Sequence, residues 1–267
     1  MSVNNDMQLD AHLPKEQLAA SLREFLPHAA KLARVPVSGF RVGAAALGAS
    51  GHVWLGANQE FAGAPLNFTV HAEQAAVINA RAHGETALLM LAVSAAPCGY
   101  CRQFLRELKR PLDIALNGRI MPLDSLLPEA FALGDPGSGQ ETLLNGLPQV
   151  YFDDDPLRAP ARNAALNSYS PYTGTKSGVA LRCASGRIFS GSLIECAAYN
   201  PSLSALQSAL TLRALDGSAD DPIDVAVLAE QPGLAVFGDL FWEMMRLIEP
   251  DAAAQRLVFE EADDHDR

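Results

Sequence analysis

Basic residues are scarce in this chain. Twenty Lys and Arg stand against thirty-one Asp and Glu, giving a formal charge of -11 and an isoelectric point near 4.9. A surface built to hold a polyanion carries the opposite balance, so nucleic acid and anionic membrane are set aside as partners. Long apolar runs are also missing. The longest, Ala87 to Ala96, is about half of what a membrane span requires. The opening MSVNNDMQLD has no basic segment leading into an apolar stretch, so no secretory signal is expected. Cysteine is sparse as well: four residues, two of them in a C-x-x-C, do not make a disulfide framework. The expectation is a soluble, cytoplasmic protein. With 49% hydrophobic and 19% charged residues over 267 positions, the chain can bury one large core or two small ones.

What the chain does have is a repeat. At an offset of 135 residues, positions 36 to 62 lie over 171 to 197 without a gap. Pro36 meets Pro171, Gly43 meets Gly178 and Ala45 meets Ala180. Ala49-Ser50-Gly51 meets Ala184-Ser185-Gly186, Gly56 meets Gly191, Glu60 meets Glu195 and Ala62 meets Ala197. Each copy reads as a strand, a tight turn at Ser-Gly and a second strand, followed by an apolar helical pattern. Extended at the same offset, the alignment sets Leu206 over His71 and Ser208 over Glu73. A helix is expected from Lys15 to Arg34, interrupted by Pro27. Gly134 to Gly139 has the composition of a linker, and the charged tail from Glu260 is expected to fray.

The chemistry lies in the first copy alone. His71-Ala72-Glu73 is followed, 27 residues beyond His71, by Pro97-Cys98-Gly99-Tyr100-Cys101. One imidazole and two thiolates are three good zinc ligands, leaving a fourth position for water. Both motifs open apolar-periodic stretches, so the ligands fall at helix starts, where the positive end of the helix favours thiolate. A carboxylate beside zinc-bound water can take the water's proton and pass it on, which gives Glu73 its role. A C-x-x-C is otherwise open to a redox reading, and the metal site to a closed structural one.

The similarity extends past these motifs. Phe40-Arg41-Val42-Gly43-Ala44-Ala45, Gly56-Ala57-Asn58-Gln59-Glu60-Phe61, Thr69-Val70-His71-Ala72-Glu73-Gln74 and Pro97-Cys98-Gly99-Tyr100-Cys101-Arg102-Gln103-Phe104 together resemble cytidine deaminase. The length and the degenerate second copy resemble that family's two-domain, homodimeric bacterial form. The resemblance implies a three-layer α/β/α fold with a mixed sheet, internally duplicated, after a small N-terminal helical segment. The expected division is 1–35 for that segment, 36–133 for the catalytic domain, 134–160 for a linker and 161–267 for a non-catalytic domain.

The implied reaction is the hydrolytic deamination of cytidine and 2′-deoxycytidine, a step of pyrimidine salvage. One Zn2+ per subunit would be held by His71, Cys98 and Cys101, with Glu73 as proton shuttle. The resemblance further places Asn58 and Glu60 on the ribose hydroxyls, Phe40 against the pyrimidine and the Ala72 N–H on the base carbonyl. Arg102 is expected to reach a thiolate. Leu193 stands where Asn58 does, so Glu195 is expected to be structural, and Cys183 and Cys196 to be buried thiols.

Overall fold

Two mixed sheets organise the computed structural model, which describes residues 7–133, 142–144, 150–231 and 233–260. The expected linker at 134–139 and the tail beyond Glu260 lie outside the described residues. In chain order the first unit runs α1 (Lys15–Lys31), β1 (Gly43–Gly48), β2 (Val53–Ala57), α2 (Ala72–Ala82) and β3 (Leu88–Val93). It continues through α3 (Gly99–Leu105), β4 (Asp113–Leu116), β5 (Arg119–Pro122) and α4 (Leu123–Leu126). The second unit holds α5 (Arg158–Leu166), β6 (Ser177–Cys183), β7 (Ile188–Ser192), α6 (Ala205–Leu215), β8 (Ile223–Glu230), α7 (Gly238–Ile248) and β9 (Ala253–Val258).

The strand order is β2-β1-β3-β4-β5 in one sheet and β7-β6-β8-β9 in the other. In each, the central hairpin is antiparallel and one later pairing, β3 with β4 or β8 with β9, is parallel. The hairpin turns depend on Gly51 and Gly186, whose φ angles of 84° and 86° are left-handed and disfavour any side chain. Alternate residues of each central strand feed opposite faces. Ala45 and Leu47 meet Leu18, Leu22 and Leu26 of α1, while Ala44 and Ala46 pack with Ala72, Ala76 and Ala80 of α2. In the second sheet Val179 and Leu181 face α6 and α7, and Ala180 faces α5. That is the three-layer α/β/α arrangement.

The helix of the N-terminal segment is one of these layers. It occupies in the first unit the place that α5 has in the second. A Cβ on Gly43 would lie 2.6 Å from the Leu26 carbonyl and 2.7 Å from the Ala30 nitrogen. One on Gly178 would strike the Ala161 carbonyl and the Ala165 nitrogen. Contrary to expectation, α1 is not interrupted at Pro27 and ends at Lys31. Proline removes one helical hydrogen bond, but the buried stripe Leu18, Leu22, Leu26 and Ala29 holds the helix on the sheet.

The helix after each hairpin corrects the sequence alignment. A Cβ on Gly56 would strike Ala72 and Ala76, and one on Gly191 would strike Ala205 and Ala209. The loop before α6 is therefore two residues shorter than the loop before α2, so the helix starts are His71 and Ser204. Ser204, not Leu206, stands at the place of His71, and Leu206, not Ser208, at that of Glu73. The register recovers at the next strand, since β3 and β8 pair with their central strands at equivalent positions.

The two units are joined by polar groups as well as by α2 packed on α6. Buried Glu107 accepts hydrogen bonds from the hydroxyls of Tyr169 at 2.9 Å and Tyr172 at 2.8 Å, and from the Ala197 N–H at 2.8 Å. Arg34 reaches across to the Ala219 carbonyl and to Asp220.

The Gly56 contact yields a stability prediction. Gly56→Ala forces a methyl against helix backbone that cannot yield locally, and is expected to cost about 1–3 kcal/mol or more. Urea unfolding of variant and parent measures it; an unchanged midpoint would show that α2 is not seated by this contact.

Candidate active site

His71 is the N-cap of α2, Cys98 is the N-cap of α3, and Cys101 lies in the first turn of α3. The two helix starts bring three donor atoms together. His71 Nδ1 lies 3.4 Å from Cys98 Sγ and 3.3 Å from Cys101 Sγ, and the sulfurs are 3.7 Å apart. Ordinary zinc–ligand lengths around a tetrahedral ion give edges of about 3.5 Å for sulfur to nitrogen and about 3.8 Å for sulfur to sulfur. The triangle is thus one face of a zinc-sized tetrahedron. The imidazole within 3.4 Å of both sulfurs supplies the third donor that a metal site needs and a C-x-x-C redox pair does not. Among the described residues these three are the only group of His, Cys, Asp or Glu suited to hold a metal ion, and a fourth protein donor is not among them. Zinc fits this donor set in chemistry and size.

The triad's protonation follows from its crowding. The Cys98 thiol is pulled down to about 3, chiefly by its hydrogen bond with Cys101, against burial and with help from His71. Cys101 is pushed up by the same bond and by burial. The two sulfurs are thus pushed in opposite directions by the bond they share. Glu73, in the first turn of α2, is 4% exposed, and burial raises its pKa above the usual carboxyl range. A carboxyl so placed, next to Cys101, holds a proton more readily than an exposed one and can pass it to a neighbour.

Comparison with known proteins adds to this geometry. A family model described as the cytidine and deoxycytidylate deaminase zinc-binding region matches residues 17–113, and a second of the same description matches 123–237. The chain belongs to this family. Similar solved structures include the cytidine deaminase from Mycobacterium tuberculosis, at 39% identity over 43% of this chain and 97% of that one, with a TM-score of 0.39. That from Burkholderia pseudomallei is 32% identical over 42% of this chain and 98% of its own, with a TM-score of 0.38.

Both units match the deaminase family, but the second lacks the three-donor cluster among its described residues. Ser204 replaces His71 and Leu206 replaces Glu73, and by the strand register Gly233 and Val236 fall where Cys98 and Cys101 are. Leu206 is buried among Phe241, Met244 and Met245, an apolar filling with no donor to offer a metal. Cys183 and Cys196 are buried free thiols.

The remaining site residues fall on one loop and one helix start. Asn58 accepts from the Val42 N–H and donates to the Phe40 carbonyl, both at 2.9 Å, which braces the turn that leaves Phe40 63% exposed. Phe40 is therefore no core residue. Glu60 accepts from the N–H groups of Val37 and Ser38 at 2.9 Å and from the Ser38 hydroxyl at 2.5 Å. Glu195 makes the same set of bonds with Tyr172 and Thr173. The shared glutamate thus holds a turn in both units. The Ala72 N–H, at the first position of α2, has no partner within the helix.

Arg102 corrects an expectation. Its Nε donates to the Pro97 carbonyl and its Nη1 to the Leu126 carbonyl, each at 2.9 Å, so it braces the cysteine loop rather than a sulfur. Gln74, three residues after the N-cap, was the site residue to read from the sequence: it is the glutamine of a capping box, and its Oε1 accepts from the His71 N–H at 3.1 Å.

Glu60 gives a pH prediction. Burial opposes its ionisation, but the bonds from Ser38 and Val37 prevail and hold its pKa below the ordinary 4.5. A lowered folded pKa contributes stability that is present above the unfolded value and lost as pH falls through the folded one. Relative to Glu60→Gln, the parent's stability advantage should be full at pH 7 and shrink below about 4.5. Urea titrations across that range check it, and a pH-independent difference would contradict the assignment.

Proposed function

We propose that this chain catalyses the zinc-dependent hydrolytic deamination of cytidine and 2′-deoxycytidine, releasing ammonia and the uridine products, as a step of pyrimidine salvage. The observation that carries the reading is the zinc-sized triangle of His71, Cys98 and Cys101 with buried Glu73 against it. When bound, the zinc ion supplies Lewis acidity that makes hydroxide available near neutral pH.

The chain's own groups do the rest. Glu73 accepts one proton from the water whose oxygen bonds to C4 and delivers it to the pyrimidine ring nitrogen; it then takes the proton of the hydroxyl now on C4 and passes it to the amine, which leaves as ammonia as the C4 carbonyl forms. Its burial suits both directions of transfer, because a raised pKa narrows the gap between donor and acceptor. The Ala72 N–H donates to the base carbonyl, where the partial positive charge of the helix start favours an oxygen. Phe40, already exposed, offers its ring to the pyrimidine. Glu60 and Asn58 keep acceptor capacity beyond the bonds they make to the 37–42 turn, and take the ribose hydroxyls.

In this reading residues 36–133 form the catalytic domain and 161–267 a non-catalytic one, and the working form is a cytoplasmic homodimer with one zinc per subunit. No helix of the described residues is long and apolar enough to cross a membrane.

The test is to mix purified protein with cytidine or 2′-deoxycytidine and follow the ultraviolet change as the 4-amino group is lost, with zinc quantified in parallel. Glu73→Gln should lose about 10²–10⁴-fold or more in turnover at unchanged zinc content. A parent protein that binds zinc and converts neither nucleoside would defeat the assignment and favour a nucleoside-binding sensor or a different amino-heterocycle. Sedimentation as a monomer at micromolar concentration would remove the homodimer.

A further inference from the structure

The buried Gln74 side chain does two things at once. Its Oε1 accepts from the backbone N–H of His71, and its Nε2 donates to the Pro201 carbonyl of the second unit, both at 3.1 Å. The second unit answers in kind. Gln207 accepts from the Ser204 N–H at 2.9 Å and donates to the Phe68 carbonyl of the first unit at 3.0 Å. Each helix start is therefore tied to the loop that precedes the other helix start. Only one of the two ties ends on a metal ligand.

The loop that receives Gln74 is a firm anchor. Tyr199 is held at a φ of 58°, a left-handed value that a tyrosine keeps only when its surroundings impose it. Backbone bonds from Tyr199 to Cys196 and from Ser202 to Tyr199, each 2.8 Å, and one from the Cys196 N–H to the Ser202 hydroxyl at 2.9 Å close it on itself. The same loop grips the helix that carries the cysteines. The Ala197 N–H binds Glu107, just beyond α3, and the Asn200 amide lies 3.4 Å from the Tyr100 hydroxyl. A single rigid loop of the unit without ligands thus contacts both elements that carry the ligands.

We propose that Gln74 is a positioning residue for the metal centre, and that the second unit sets the place of His71 through the Gln74 to Pro201 bond. The proposal rests on the zinc reading of the triad. The His71 carbonyl accepts the first bond of α2, from the Ala75 N–H at 2.9 Å, but its own N–H has no helical partner, so the Gln74 side chain holds that side of the residue and helps to set the direction of its imidazole. Groups that orient a ligand in this way typically change metal affinity 10–100-fold when removed, by an order-of-magnitude rule.

Three variants separate positioning from mere stability. Gln74→Met keeps the volume and removes both bonds. Gln74→Glu keeps an acceptor for the His71 N–H and cannot donate to Pro201 while ionised. Gln207→Met breaks the mirror tie without touching a ligand. The readouts are zinc affinity by competition with a chelator, the visible absorption of the cobalt(II)-substituted protein, and the melting temperature. Both Gln74 variants should bind zinc about 10–100-fold more weakly and show an altered cobalt spectrum. Gln207→Met should lower the melting temperature while keeping the parent's spectrum and affinity.

Parent-like zinc affinity and spectrum in Gln74→Met would overturn the positioning role. A parent-like Gln74→Glu would overturn the part assigned to the second unit, and equal metal effects in Gln74→Met and Gln207→Met would reduce both to stability. None of these readouts needs a nucleoside, so failure of the cytidine assay leaves the inference standing or falling on its own.

Discussion

The metal centre depends on how closely α2 approaches β2. No Cβ intervenes at Gly56, and the helix presents Ala72, Ala75 and Ala76, so strand and helix meet almost backbone to backbone. That contact places the N-cap of α2, with His71 on it and Glu73 two residues on, at the rim of the sheet where the start of α3 brings Cys98 and Cys101. A side chain at position 56 would lie 2.2 Å from the Ala72 carbonyl and 2.3 Å from the Ala76 nitrogen, so the helix start that carries His71 could not keep its present seat. The chemistry is therefore downstream of a packing constraint made by the smallest residue in the chain.

The second unit shows what that constraint is worth without chemistry. Gly191 repeats the contact against Ala205 and Ala209, Glu195 repeats the turn held by Glu60, and Gln207 repeats the fork of Gln74. Among the residues that have changed are Ser204, Leu206, Gly233 and Val236, which stand at the places of the three-donor cluster and of Glu73, and Leu193, at the place of Asn58. Divergence has thus fallen on the reactive groups and spared those that seat the helix and reach the other unit. A unit that served only to fill space would have no reason to keep a buried glutamine aimed at its neighbour's backbone, since a leucine there would leave no amide to satisfy.

The cluster of His71, Cys98 and Cys101 and the duplicated hairpin were legible in the sequence because both rest on local patterns. His71-Ala72-Glu73 and Pro97-Cys98-Gly99-Tyr100-Cys101 carry their meaning in spacing alone, and the glycines at turns and contacts repeat at a fixed interval. The position of α6 was not legible. Its preceding loop loses two residues, which the segment before β8 restores, so an ungapped alignment is right on both sides and wrong between. Arg102 misled for a related reason: adjacency to Cys101 in sequence says little about direction, and on a helix the next residue turns about 100° away, here toward the Pro97 and Leu126 carbonyls. The uninterrupted α1 shows tertiary burial prevailing over a proline, a balance that local sequence does not record.

Glu107 shows why the two units must act as one body. Its carboxyl is 3% exposed, and its three hydrogen-bond donors, Tyr169, Tyr172 and Ala197, all belong to the second unit. No arginine or lysine pairs with it among the described residues. A buried carboxyl held only by neutral donors is tolerable while all of them stay in place, and becomes costly when any withdraws. Parting the units would strip all three together, while also freeing Gln74 and Gln207. The interface is thereby all-or-none, and because Glu107 ends the segment that begins at Cys98, its integrity and that of the cysteine helix are bound together. The contacts between the units run both ways: the second unit donates to Glu107, and accepts from Gln74 at the Pro201 carbonyl and from Arg34 at the Ala219 carbonyl, so neither unit can shift without breaking bonds of both senses.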